Sequence, residues 1–472
     1  MTDRSFRGGD GETPAPALSS GDVIAALATP WGEGGIAVLR LSGDGCTALL
    51  DRAFRGRVPL SRTEPWRMRH GHVIDPEGEI LDEVLAVRFA APKSYTGEES
   101  GELHCHGGAL PAQACLDLLL SLGARLAQPG EFTRRAFANG RLDLSQAEAV
   151  LSVIRSRSRE ALTAAGRALQ GRTGEAFRDL LGRATDLAAH LEALLDFPEE
   201  EIPPLEEGDL RAGLRSLKGR TEDLRQRCLG GMLLREGIRV GLVGRPNVGK
   251  SSLLNALLQE ARAIVTPLPG TTRDLVEAVT THRGVPLRLV DTAGIRSSAD
   301  PLEALGIQRA RRTLEEADLR VWVVDAGEPL TEEDRELAAS LRGKTLLVAR
   351  NKTDLPEAVS EAALKALVPG CAVCSVSALE GVGLEALKDR MVEVLGGSGT
   401  LEGALSITRR QMEALDRTGE ALQTAASALE ASEWDAAAAC LGEARSALAG
   451  LTGQDPGEDL LDRVFGEFCI GK

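Results

Sequence analysis

The chain has 472 residues, 43% hydrophobic and 26% charged, with a formal charge of −15. That length predicts about three domains with sizeable cores. The acidic balance excludes general electrostatic attraction to nucleic acid, leaving a local patch or a surface shared with a partner.

No stretch reaches the roughly 18 apolar residues of a membrane span, and no apolar signal segment opens the sequence. The expectation is no membrane association and a cytoplasmic, reducing location. Eight cysteines are scattered without a disulfide-like framework. Counting gives 8 lysines among the 55 basic residues, so 55 − 8 leaves 47 arginines. With arginine used wherever any cation suffices, Lys250, Lys352 and the terminal Lys472 become candidates for specific roles, although a chain-end lysine is more commonly a solvated charge.

Residues 1–20 are rich in Gly, Pro and Ser with no apolar period and read as a disordered extension. Residues 21–140 read as an α/β (α+β) domain. Strands are expected over Gly35 to Ser42, Glu83 to Ala90 and Gly101 to His106, and a helix over Leu116 to Leu126. Arg40 shares a strand face with Ile36 and Val38, which calls for an anionic partner or for snorkelling to the sheet edge. Glu102, His104 and His106 share another face by the period of two. The H-x-H could ligate a metal, but no third ligand at suitable spacing is evident.

From residue 141 the texture changes to long helices, with Ser145-x-x-Glu148 matching a capping box. An acidic, proline-broken connection follows at 196–209 and reads as a solvated linker. Helical character continues to residue 236 and resumes over 396–472. The economical interpretation is one all-α domain, 141–236 with 396–472, interrupted by a complete α/β domain at 237–395.

The inserted domain carries the clearest chemistry. An apolar run ends in Gly244-x4-Gly249-Lys250-Ser251 and opens into a helix carrying Leu253, Leu254 and Leu257, the context a P-loop requires. Glycines admit the backbone of Asn247, Val248 and Gly249 to a polyphosphate, Lys250 adds charge at the outer phosphates, Ser251 is placed for Mg²⁺, and Ser252 continues the helix N-terminus. Asp291-Thr292-Ala293-Gly294 ends a strand where a carboxylate can hold Mg²⁺ through water and a backbone N–H can meet the γ-phosphate.

Asn351-Lys352-Thr353-Asp354 ends another strand, and the Asp354 carboxylate can accept two hydrogen bonds that guanine offers and adenine does not. Such a site discriminates on the order of 10⁴-fold. Ser377, Ala378 and Leu379 supply a further loop for the guanine oxygen. Together these make GTP the ligand. Ile295 stands where many GTPases place a water-orienting glutamine, so another group must orient water. Asn247 with the 263–274 loop could hold a monovalent cation in place of an arginine finger. Cys371-x2-Cys374 is a lone pair within an expected strand and reads as core rather than zinc site.

GRPNVGKSS, PGTTRD, DTAG and NKTD, with ATPWGEGGIAVLR, SYTGEESGELHCHGG, PGEFTRRAFANGRLDLSQAEA and the terminal CIGK, closely resemble the tRNA-modification GTPase MnmE (TrmE) family, from about Asp22 to Lys472. The resemblance implies an N-terminal folate-binding domain that dimerises, a helical domain and a G domain activated by potassium-dependent pairing. It further implies a heterotetramer with an FAD-dependent partner, MnmG, and modification of the wobble uridine of certain tRNAs at its 5-position. The one-carbon unit would come from 5-formyl- or 5,10-methylene-tetrahydrofolate and the added nitrogen from glycine or ammonium.

Carried over by motif, the resemblance puts potassium on the side chains of Asn247 and Thr271 and the carbonyls of Thr266 and Leu268. Mg²⁺ falls on Ser251 and Thr272, and Pro267, Leu268, Pro269 and Gly270 fall in the GTP-binding loop, where Pro267 and Pro269 depart from the family pattern and stiffen the potassium site. Its catalytic glutamate falls on Glu303, and its folate contacts on Arg40, Glu102, Arg141 and Lys472. Cys469 in the terminal motif is open between a nucleophilic or redox role and a buried or structural thiol. The alternative reading is a ribosome-assembly GTPase acting as a switch without modification chemistry, against which stand the acidic balance and the lack of an RNA-binding appendage.

Overall fold

A computed structural model describes residues 21–196, 207–259, 278–291, 317–396, 401, 403–453 and 457–472, in two compact units that divide after residue 143 and again near residue 456. The first unit holds a seven-stranded sheet ordered β3-β4-β5-β6-β2-β1-β7. Its strands are β1 Ile24–Leu27, β2 Ile36–Ser42, β3 Phe54–Gly56, β4 Arg69–Ile74, β5 Ile80–Phe89, β6 Ser100–His106 and β7 Arg125–Leu126. All neighbouring pairs are antiparallel except β1 with β7. Alternation of apolar and polar residues fixes the faces: Ala37, Leu39 and Leu41 of β2 and Leu103 and Cys105 of β6 are buried in one core. Helices α1 Cys46–Ala53 and α2 Ala109–Ser121 complete that layer.

The expected helix over Leu116 to Leu126 is therefore corrected. Its apolar run does begin inside a helix, but α2 stops at Ser121, Gly123 turns the chain at φ +107°, and Arg125–Leu126 pairs in parallel with β1. Helix α3, Glu131–Ala138, follows. Near its start a partly buried charge cluster forms, with Arg135 and Arg125 both paired to Glu131 and Asp22. The C-terminal residues 457–472, assigned by their sequence to the helical part, lie in this unit. Their helix packs Phe465 near Phe137, at 6.3 Å between ring centroids, and Arg134 donates to Asp462 at 2.7 Å.

The second unit combines helices with a six-stranded sheet. Before the sheet come α4 Leu144–Arg155, α5 Arg159–Leu169, α6 Arg172–Asp196 and α7 Glu207–Glu236. The sheet is ordered β13-β12-β11-β8-β10-β9, with β8 Ile238–Val243, β9 Ala278–His282, β10 Val285–Asp291, β11 Leu319–Asp325, β12 Leu346–Asn351 and β13 Ala372–Ser375. All pairs are parallel except β9 with β10. Every residue of β11 is buried, as expected of a parallel strand covered on both faces. Helices α8 Lys250–Gln259, α9 Glu332–Ser340, α10 Glu361–Leu367 and α11 Leu384–Gly396 lie along the sheet's stretch of chain, and α12 Arg409–Glu430 and α13 Trp434–Thr452 follow it; α14, Glu458–Gly466, belongs to the first unit.

Residues before and after the sheet share one core: Phe177, Leu191 and Leu214 pack with Leu415, Leu422 and Leu448. The α/β part is thus inserted into a helical host. The capping box expected at Ser145 and Glu148 is another correction. Ser145 already lies inside α4 and donates to the Leu451 carbonyl, while the buried Glu148 accepts from Arg410, Thr408 and Gln411. The host also enters the sheet's core, through Ala161 and Ala164 of α5 and Leu233 and Leu234 of α7.

Candidate functional site

Strand β8 is buried from Val240 to Val243 and delivers the phosphate loop at its carboxyl end, where parallel sheets bind ligands. Asn247 adopts φ +64° and Gly249 φ +93°. At Gly249 a Cβ would lie 2.3 Å from the Asn351 amide nitrogen, so only glycine admits this approach. Lys250 is buried, and its ammonium donates to the carbonyls of Gly244 and Arg245 at 2.7 Å each. Both acceptors belong to the loop, so an incoming phosphate can exchange for them without leaving a buried charge unpaired.

Asn351, itself buried, binds the motifs together. Its Nδ2 donates to the Val248 carbonyl at 2.9 Å and its Oδ1 accepts from the Ala378 N–H at 3.1 Å. Lys352 is held by Asp325 at 2.6 Å. Thr353 N–H donates to Val376, and the exposed Asp354 accepts from the Ser377 hydroxyl at 2.5 Å. That contact orients the carboxylate and leaves oxygen capacity for a base. Leu379 is 82% exposed beside it. Ser251 and Ser252 lie exposed in the first turn of α8. Asp291 closes β10 opposite Leu242. Thr266 to Thr272, Thr292, Ala293, Gly294 and Glu303 lie outside the described residues.

The second group of predicted residues lies in the first unit. Arg40 pairs in register with Glu102 across β2 and β6, its Nε donating to the carboxylate at 3.0 Å and Nη2 lying at 2.9 Å. This settles Arg40 as ion-paired rather than snorkelling. His104 shares Glu102 at 3.1 Å and His106 engages Asp82 instead, so the two histidines do not converge. Lys472 is half-buried. Burial and the charge of Arg40 hold its ammonium below the usual range, while Glu102 acts in the opposite sense.

The terminal motif owes this placement to Gly471, at φ +96°, where a Cβ would meet the Leu27 carbonyl at 2.3 Å. Tyr95 lies under the Arg40 guanidinium at 5.3 Å, and burial holds its hydroxyl above the usual range against the Thr133 hydrogen bond and the charges of Arg40 and Arg141. The four predicted side chains therefore share one neighbourhood. Cys469 is exposed, which removes the buried-thiol reading.

Family models match the TrmE N-terminus over residues 23–141 and the MnmE helical domain over 144–469. The tRNA modification GTPase MnmE of Moorella thermoacetica is 46% identical over 466 residues, covering 96% of this chain and 99% of its own. That of Heliobacterium modesticaldum is 43% identical over 465 residues, with 96% and 100% covered. The chain belongs to the MnmE family of tRNA-modification GTPases. Among solved structures, the G domain of the T. maritima FeoB iron transporter is similar at 30% identity over 33% of this chain and 98% of its own, with a TM-score of 0.26.

Two features go beyond the MnmE motifs as read from sequence. Arg245, in the phosphate loop, reaches the fully buried Asp334 with its Nε at 2.8 Å and so ties the loop to the start of α9. In addition, a cavity of about 170 Å³ opens beside Arg40 and Glu102, walled by Trp66, Phe89, Tyr95 and Phe132. The sequence did hold a signal for it. The chain has only 9 Phe, 4 Trp and 1 Tyr, and four of them meet here.

Proposed function

We propose that this GTP hydrolase modifies the 5-position of the wobble uridine of certain tRNAs. It would act as a homodimer through its N-terminal domain and in a heterotetramer with the FAD-dependent MnmG, drawing a one-carbon unit from 5-formyl- or 5,10-methylene-tetrahydrofolate. One observation carries the reading: in a unit separate from the interlocked guanine-nucleotide motifs, the same chain sets a guanidinium–carboxylate pair and a half-buried terminal lysine near an aromatic cavity. A flat heterocycle with N–H donors suits aromatic walls and the Glu102 carboxylate, and the glutamate tail of a folate suits the cations Arg40, Arg141 and Lys472.

In the nucleotide site, Lys250 would transfer from its loop carbonyls to the outer phosphates, Asp354 would select guanine, and Ser251 with Thr272 would hold Mg²⁺. Asn247, Thr271, Thr266 and Leu268 would hold K⁺, which offsets charge developing between the phosphates. Asn247, the member of that set within the described residues, is exposed at the loop tip in the left-handed conformation that asparagine tolerates. Glu303 would orient the attacking water that Ile295 cannot.

Steady-state GTP hydrolysis in potassium and sodium at equal ionic strength tests this together with 5-formyl-tetrahydrofolate binding. Turnover is expected to require potassium, and folate to bind equally in both salts without nucleotide. Equal turnover in the two salts removes the cation site, and absence of folate binding removes the modification reading. Glu303→Ala should bind GTP nearly normally and turn it over more slowly by roughly 10²-fold or more.

A further inference from the structure

A different cluster lies under the first sheet. Asp82 of β5, Cys105 of β6 and Cys115 of α2 bring a carboxylate oxygen and two sulfurs within 4.8 Å of one another. Both cysteines are buried, and the Asp82 side chain is only 9% exposed. Cys105 Sγ donates to the Ala37 carbonyl at 3.3 Å. Asp82 is oriented from outside the cluster. Its Oδ2 accepts from the backbone N–H of His106 at 2.7 Å, and its Oδ1 lies 2.6 Å from His106 Nδ1 and accepts from Glu83 N–H at 2.8 Å.

Cysteines alone in this place would be small apolar core residues. The carboxylate makes the difference. Three groups that each become anionic on losing a proton share one buried spot, and they coexist there only with protons on the sulfurs or with a cation between them.

We propose that Asp82, Cys105 and Cys115 form a three-ligand site for a thiophilic divalent cation, zinc by its chemistry, with the fourth position left to solvent and His106 orienting Asp82 from outside. Two thiolates and a carboxylate are zinc ligands, and ligating carboxylates are themselves held by hydrogen bonds, as His106 and the Glu83 N–H hold Asp82. Tetrahedral zinc sets donor atoms roughly 3.5–3.8 Å apart, so side-chain rotations of about an ångström close the present cluster. The three ligands come from β5, β6 and α2, so the ion would pin α2 to the sheet. Two thiol protons are released on binding, which makes affinity rise with pH.

The test uses the full-length chain, reduced and freed of metal by a chelator, titrated with Co²⁺ and then displaced by Zn²⁺. The proposal expects one equivalent per chain, with the absorption of tetrahedral cobalt–thiolate coordination. Cys105→Ser and Cys115→Ser should each abolish that absorption, and His106→Ala should weaken binding by roughly 10-fold. Cys469→Ser and the double variant Cys371→Ser, Cys374→Ser should leave it unchanged. If a cysteine variant does not fold, protection of Cys105 and Cys115 from alkylation by Zn²⁺ in the unaltered chain gives the same answer. No thiolate absorption, absorption that follows Cys469 or the Cys371–Cys374 pair instead, or equal alkylation with and without Zn²⁺ would overturn the site.

Discussion

In the six-stranded sheet the described nucleotide-motif residues stand at or beyond the carboxyl ends of strands, on the loops after β8, β12 and β13. In the seven-stranded sheet Arg40 and Glu102 stand inside strands, on the face opposite the main core, and Lys472 comes from the far end of the chain. Loops after parallel strands bring N–H groups and short consecutive motifs to a ligand that needs many donors at close range. A strand face instead offers every second residue, so a pocket built there draws single side chains from widely separated segments. The first kind of site can be changed at one position without losing its scaffold. The second depends on register, where a slip of one residue would turn Arg40 into the core.

The largest expected effect tests the first half of that comparison. Asp354→Asn should lose its preference for GTP by on the order of 10⁴-fold and gain xanthosine triphosphate, because the paired carboxylate acceptor disappears. The Ser377 contact survives in an amide, and the fold should be retained. Competition binding with the two nucleotides is the measurement, and unchanged GTP affinity would take Asp354 away from the base. Folate binding should be untouched.

Smaller, and aimed at the other pocket, is removal of Lys472 alone. Loss of one charge-assisted contact is worth about 1.5–3 kcal/mol, so 5-formyl-tetrahydrofolate should bind roughly 10- to 100-fold more weakly, with GTP hydrolysis spared. Gly471→Ala sharpens the point, since it keeps the lysine but drives a Cβ against the Leu27 carbonyl. It should approach the deletion in folate affinity. Full affinity in both variants would return Lys472 to a solvated chain end.

Legibility in the sequence follows the same division. The guanine-nucleotide loops were readable because Gly249-Lys250-Ser251 and Asn351 to Asp354 are contiguous and flanked by apolar strands. The Arg40 partner was narrowed only to an anion or the sheet edge, since strand pairing between residues 62 apart has no local signature. Arg141 enters through family resemblance alone, Lys472 through the scarcity of lysine as well as the resemblance, and the aromatic wall emerges only with the structure. Two misreadings share a cause. The Leu116 to Leu126 run looked helical throughout, but pairing with β1 takes Arg125–Leu126 into the sheet. Ser145-x-x-Glu148 matched a local cap, but burial against α12 gives Glu148 partners about 260 residues away. Tertiary contacts overrode local patterns in both places.

The smallest effect concerns how the face-built unit is held together. Asp22, Glu131, Arg125 and Arg135 form one network, with Glu131 and Arg135 buried. Burial raises the Glu131 carboxyl, but the hydrogen bonds and charges of Arg125 and Arg135 outweigh it and hold its pKa below the usual range, and Asp22 follows the same pattern. A carboxyl depressed in the folded state contributes stability above its unfolded pKa, about 4.3 for glutamate, and loses it as pH falls through the folded value. Glu131→Gln should therefore melt lower than the unaltered chain at pH 7, because two guanidinium groups lose a charged partner. The gap should narrow on acidification below about pH 4, as the unaltered chain gives up what the variant never had. Hydrogen exchange of the α3 and β7 amides across that range follows the unit itself, since the whole chain need not unfold in one step. A gap independent of pH would show that the network holds the fold by shape and packing, with its charges cancelling.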